Sequence, residues 1–155
     1  MAVLPPIYTI DSYSPITSVG HHLVDVASQL RHAVDRRATE IGITGAQWVV
    51  LIRIGASGDG GASAAELCRI IGYDSGSMTR MLDRLEKRGM VRRQRSDEDR
   101  RIVRLYLTDL GWQLYPRLTP IAIECLNRLL KGFKSDEVAL LMSFLERMLA
   151  NEVAK

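Results

Sequence analysis

The sequence predicts a mainly α-helical fold with one small β-hairpin, an α+β arrangement. Three observations carry this expectation. Apolar residues recur at intervals of three and four over most of the chain, the spacing of helices that bury one face. The period changes to two only around "VRLYL", residues 103–107, as a half-buried strand requires. Between these stretches, glycines and short polar caps mark turns.

With 155 residues, 46% hydrophobic and 25% charged, the chain suits one globular domain, or one domain with helical extensions. Its start, "MAVLPPIYTI", has no basic cluster and no long apolar run, which argues against a signal peptide. No stretch approaches the length of a bilayer span. Cys68 and Cys125 lie far apart and match no metal spacing. A reducing cytoplasm is the simplest setting.

Residues 1–13 read as an irregular arm. A helix is expected from Pro15, because Ile16, Val19, Leu23, Val26, Leu30 and Ala33 form a heptad seam. It should end near Gly42. Such a seam needs a partner helix, from this chain or from a second subunit. "TGAQ" (44–47) is a capping box that opens a second helix holding Trp48, Leu51 and Ile52. "GASGDGG" (55–61) reads as a loop. "SAAE" (63–66) is another capping box and opens a short third helix ending at Gly72. Asp74 or Ser75 caps a fourth helix over about residues 75–88. Its Met78, Met81, Leu82 and Leu85 fall at i, i+3, i+4 and i+7, one buried face. The opposite face carries Ser75, Ser77, Thr79, Arg80, Asp83, Arg84 and Lys87. After Gly89, Val91–Arg95 pairs with the alternating strand, and "SDEDRR" makes the hairpin tip. Two helices follow, over 109–132 and 135–152. Pro116 and Pro120 are expected to kink the first, and Val138, Leu141, Leu145, Met148 and Leu149 share one side of the second.

Charge is distributed unevenly. Residues 80–104 hold ten Lys/Arg against five acids, a local +5, whereas the whole chain is only +3. A basic patch on a near-neutral body is the footprint of a polyanion binder. The competing reading is a solvated charged surface.

A short helix, a glycine turn, a polar-faced second helix and a basic hairpin together make a winged helix-turn-helix. A DNA major groove about 12 Å wide admits one helix. Ser75, Ser77, Thr79 and Arg80, near the start of the fourth helix, are short or basic enough to reach base edges. Arg84 and Lys87 are better placed for phosphates. On the hairpin, Arg95, Arg100, Arg101 and Arg104 suit backbone and minor groove. Asp99 would pair with a neighbouring arginine and hold the tip in shape.

The stretch "ELCRIIGYDSGSMTRMLDRLEKRGMVRRQRSDEDRRIVRLYLTDLG" resembles the DNA-binding core of MarR-type (multiple-antibiotic-resistance) regulators. The wing pattern D-x-R-x-x-x-L-x-L-T-x-x-G is met by Asp99, Arg101, Leu105, Leu107, Thr108 and Gly111. "ITGAQWVVL" resembles the second helix of that family, which extends the likeness over residues 15–150. The resemblance implies a homodimer with interlocked N- and C-terminal helices on a pseudo-palindromic operator. It implies Arg101 as the wing-tip minor-groove residue and Asp99 as its brace. It further implies a repressor released by a small phenolic or aromatic carboxylate effector.

Three regions are therefore expected: an arm and dimerisation helix (1–42), a winged helix-turn-helix DNA-binding domain (43–108) and C-terminal dimerisation helices (109–155). His21, His22 and Arg53 are the candidate effector residues; for Arg53, extension into solvent is the favoured reading. Cys68, Cys125, Trp48 and Trp112 read as packing residues, and Tyr106 either touches phosphate or packs on the wing. No residue spacing supports a catalytic centre, a metal site or a cofactor. The alternative to a DNA-binding regulator is a winged-helix interaction module whose basic hairpin binds an acidic protein partner.

Overall fold

The computed structural model describes residues 5–95 and 103–153. The order is α1 (Val19–Glu40), α2 (Gly45–Ala56), β1 (Ala62–Ser63), α3 (Ala64–Ile71), α4 (Ser75–Lys87), β2 (Val91–Arg95), β3 (Val103–Leu107), α5 (Asp109–Leu129) and α6 (Ser135–Val153). The expected mainly helical winged fold is what forms.

Local chemistry sets the helix boundaries. α1 begins at Val19 rather than Pro15, because the Ser18 hydroxyl accepts the His21 N–H at 3.2 Å. The Tyr8 hydroxyl of the arm accepts the Val19 N–H at 3.0 Å, satisfying a second orphan donor of the first turn. Both capping boxes form with both of their hydrogen bonds, Thr44 with Gln47 and Ser63 with Glu66. Gly72 ends α3 in the left-handed region at φ 74°, a conformation that costs glycine little. Asp74, not Ser75, caps α4.

The hairpin pairs in the register Val91↔Leu107 to Arg95↔Val103. One strand escaped the sequence reading. β1 is two residues long, pairs Ala62 with Leu105, and makes β3 the central strand of the order β1-β3-β2. Two residues are too few to show a period. The start of the expected 55–61 loop closes α2, and Gly58–Gly60 form a 3-10 turn. α5 runs through Pro116 and Pro120 as one helix but ends at Leu129.

The core joins α2, α3, α4, the sheet and α5 through Leu51, Ile54, Leu67, Met78, Leu85, Leu105 and Leu118, all essentially sealed from solvent. Each such side chain contributes about 1.5–3 kcal/mol of burial. Val34, Ile121 and Cys125 form a smaller cluster between α1 and α5. Beside it, Arg37 donates from Nε and Nη2 to Glu124 Oε2 at 2.9 and 2.6 Å, fastening α1 to α5. Its guanidinium also donates to Glu40; Glu40 and then Glu124 raise its pKa above the ordinary arginine value.

The packing expectations divide. Cys125 is buried, whereas Cys68 is half-buried. Trp48 packs on the core and donates its indole N–H to the Leu118 carbonyl at 2.9 Å. Trp112 instead lies exposed, its ring 5.2 Å from that of Tyr115. It lies off the face of α5 that buries Gly111 and Leu118.

The heptad seam is only partly covered. Leu30 and Ala33 pack against the Val34–Ile121–Cys125 cluster, but Ile16, Val19, Leu23 and Val26 stay exposed. α6 has no substantial packing partner among the described elements, and its Leu140, Leu141, Phe144, Met148 and Leu149 face solvent.

Candidate nucleic-acid interface

α4 is seated by its apolar face, with Met78, Met81, Leu82 and Leu85 all buried. Its N-terminus is held by the Asp74 carboxylate, which accepts the Ser77 N–H at 2.8 Å. The seating leaves Ser75, Thr79, Arg80, Arg84 and Lys87 exposed and Ser77 half-buried. The Thr79 hydroxyl donates back to the Ser75 carbonyl at 2.8 Å, and Arg80 Nη2 donates to Ser77 Oγ at 3.1 Å. Ser77, Arg80 and Arg84 line a shallow hollow of about 410 Å³ against the glycine turn. A surface of short hydroxyls and forked guanidiniums is suited to base edges and phosphate oxygens.

On the hairpin, Arg95 is exposed at the end of β2 and Arg104 is half-buried on β3, opposite Gln94 and Ser63. Asp99, Arg100 and Arg101 lie outside the described residues. So does the bracing role expected of Asp99.

Three arginines of the basic stretch are engaged internally. Arg88 Nη2 donates to the Gly42 carbonyl at 2.8 Å, tying the end of α4 to the α1–α2 corner. Arg92 lies 4.8 Å over the Tyr106 ring and donates to Gln94. Tyr106 therefore packs on the wing, its ring filling the space where a Cβ at Gly61 would stand. Arg93 pairs with Asp83 and Glu86. Counting charges in sequence could not separate these from free cations; the acid pair at i and i+3 on α4 was the available signal.

The candidate effector residues are all exposed in the single chain. His21 and His22 lie exposed at the start of α1, where His21 Nε2 sits 3.2 Å from Asp25 and His22 Nδ1 2.9 Å from the Ser18 carbonyl. Arg53 is exposed near the end of α2. A cavity of about 430 Å³ opens elsewhere, between α1, α2, α5 and the end of α3. It is lined by Leu30, Val34, Trp48 and Tyr73, with Arg31 and His32 among its polar residues. None of His21, His22 and Arg53 lines it. His32 and Trp48 read as isolated residues in sequence because only the α1–α2 crossing brings them together.

Two caps carry a pH dependence. Hydrogen bonds from Ser77, side chain and then backbone, hold Asp74 below the usual carboxylate range. The backbone and side chain of Ser63 do the same for Glu66. A depressed folded pKa gives stability that is present above the unfolded value, about 4 for such acids, and lost as pH falls through the folded value. The melting temperature should hold from neutral pH to about pH 5 and then fall. Asp74→Asn with Glu66→Gln should make that acid fall shallower in a thermal-melt pH series; an unchanged slope would contradict the capping account.

Comparison with known proteins follows the same lines. Residues 41–102 match the sequence model of the MarR family. The transcriptional regulator PA3341 is 32% identical, with 89% of this chain and 100% of that one covered at a TM-score of 0.82. A cysteine-to-serine mutant of MarR from E. coli, solved in complex with operator DNA, is 29% identical over 86% of this chain and 95% of that one, at a TM-score of 0.73. A MarR transcriptional regulator from Methanosarcina mazei Go1 is 26% identical over 88% and 96%, at 0.76. Sequence pattern, three-dimensional fold and relatives agree: this chain belongs to the MarR family of transcriptional regulators.

Proposed function

We propose that the protein is a dimeric, sequence-specific binder of duplex DNA that represses transcription and is released by a small aromatic or phenolic effector. The observation that carries the reading is α4 itself. It is sealed along its apolar face and capped at its N-terminus, and it presents Ser75, Thr79, Arg80, Arg84 and Lys87 outward beside a basic hairpin. The E. coli relative held by operator DNA supports the same use of the fold.

In this reading residues 43–108 bind DNA, while residues 1–42 and 109–155 supply the dimer contacts through the uncovered apolar faces of α1 and α6. Ser75, Ser77, Thr79 and Arg80 meet base edges. Arg84, Lys87, Arg95, Arg100 and Arg104 meet phosphate, and Arg101, braced by Asp99, enters the minor groove. The 430 Å³ cavity is the place we assign to the effector. Its size suits a small ligand, and Arg31 offers a guanidinium and His32 a ring nitrogen to a carboxylate. Release then requires only that the ligand prefer a spacing of the two α4 helices that the operator does not accept.

Binding to duplex DNA across a salt series tests the reading. Affinity should fall log-linearly with salt, with a slope near 0.9 per phosphate neutralised, and a specific duplex should outcompete a random one. Salt-insensitive binding, or none, would contradict it.

A further inference from the structure

Arg93 belongs to the basic stretch by sequence but not by geometry. Its side chain leaves β2 and turns back onto α4. There Nη1 donates to Glu86 Oε2 at 2.6 Å and Nη2 donates to Asp83 Oδ1 at 2.7 Å. The Arg93 backbone N–H also donates to Glu86 Oε1 at 3.3 Å. Glu86 thus receives both the main chain and the side chain of one hairpin residue. Among the described residues, no other polar side chain joins α4 to the sheet.

Asp83 and Glu86 are otherwise hard to explain. They sit on the helix that carries Arg80, Arg84 and Lys87, where bare carboxylates repel phosphate. Across a fixed guanidinium fork they do something else. A planar fork held by two carboxylates resists rotation as a single ion pair does not. The angle between α4 and the hairpin decides whether groove and backbone contacts can be made together.

We propose that Arg93, held by Asp83 and Glu86, is a positioning residue for duplex binding: it sets the angle between α4 and the hairpin and makes no DNA contact of its own. This rests on the DNA-binding reading above.

The competing roles differ in sign. If the two acids only repelled DNA, or if Arg93 left them to contact phosphate, Asp83→Asn with Glu86→Gln would tighten binding to every duplex. As a clamp, the same pair of changes weakens the selected duplex about tenfold while random-duplex affinity holds or rises. Arg93→Ala should lower the ratio of specific to random affinity in the same way. Far-UV circular dichroism and unfolding curves confirm that each variant is folded. The double variant keeps every backbone contact, so it remains usable if Arg93→Ala is not. Tighter binding of both duplexes by the double variant overturns the proposal. So does an Arg93→Ala loss that is equal on both duplexes and lowers the salt slope by one phosphate contact, about 0.9. Failure of the unaltered protein to bind any duplex overturns the DNA-binding reading, and this proposal with it.

Discussion

Gly111→Ala is expected to destabilise the protein by about 3 kcal/mol or more, at or beyond the upper end of the range for overpacking a filled site. A Cβ at this position would stand 2.2 Å from the Met90 carbonyl oxygen and 3.1 Å from Leu107 Cβ. The obstacle is backbone. The Met90 carbonyl also accepts the Thr108 N–H at 3.1 Å, and the Gly111 N–H is capped by Thr108 Oγ1 at 3.2 Å. Relief would require breaking the joint at which the hairpin turns into α5. Gly55 offers the contrast. A Cβ there would meet the Tyr115 ring at 2.1 Å, but a half-buried side chain can turn away, so Gly55→Ala should cost less. Urea unfolding of the two variants measures the difference; a Gly111→Ala protein within about 1 kcal/mol of the parent, a change typical of ordinary surface positions, would contradict the packing.

Much of this fold was legible because local signals agreed with one another. Capping boxes at Thr44 and Ser63, the left-handed turn at Gly72 and the i, i+3, i+4, i+7 face of α4 each state their own structure within a few residues. The alternation of Val103, Leu105 and Leu107 marked β3 as a strand, and the structure supplied its register against β2. What was illegible depended on distance along the chain. β1 exists only because β3 lies beside it. The basic surface was legible as a total charge but not as an arrangement: Arg88, Arg92 and Arg93 look like Arg84 and Arg95 until Gly42, Tyr106, Asp83 and Glu86 are brought near. The cavity was illegible for the same reason, since His32 and Trp48 are sixteen positions apart in sequence and meet only at a helix crossing.

The largest functional effect is expected from α6. Leu141 and Met148 lie one heptad apart and are 38% and 40% exposed in the single chain. In the proposed dimer they are covered. Leu141→Asp with Met148→Asp should therefore leave the monomer fold intact, because neither side chain fills its core. The same change should split the dimer by burying two carboxylates without partners. Losing the second half-site contact converts a bivalent complex to a monovalent one, a loss of roughly 10²–10⁴ in operator affinity. Sedimentation and duplex titration read the two consequences separately.

The most direct measurement is selection of bound sequences from a random duplex library at physiological salt, run with the parent protein and with this α6 variant. The account predicts that the parent recovers a palindrome whose half-sites lie about one helical turn apart, and that the variant recovers none. Recovery of no motif by the parent, or of the same unpaired motif by both, would contradict a dimer that reads DNA through two copies of α4.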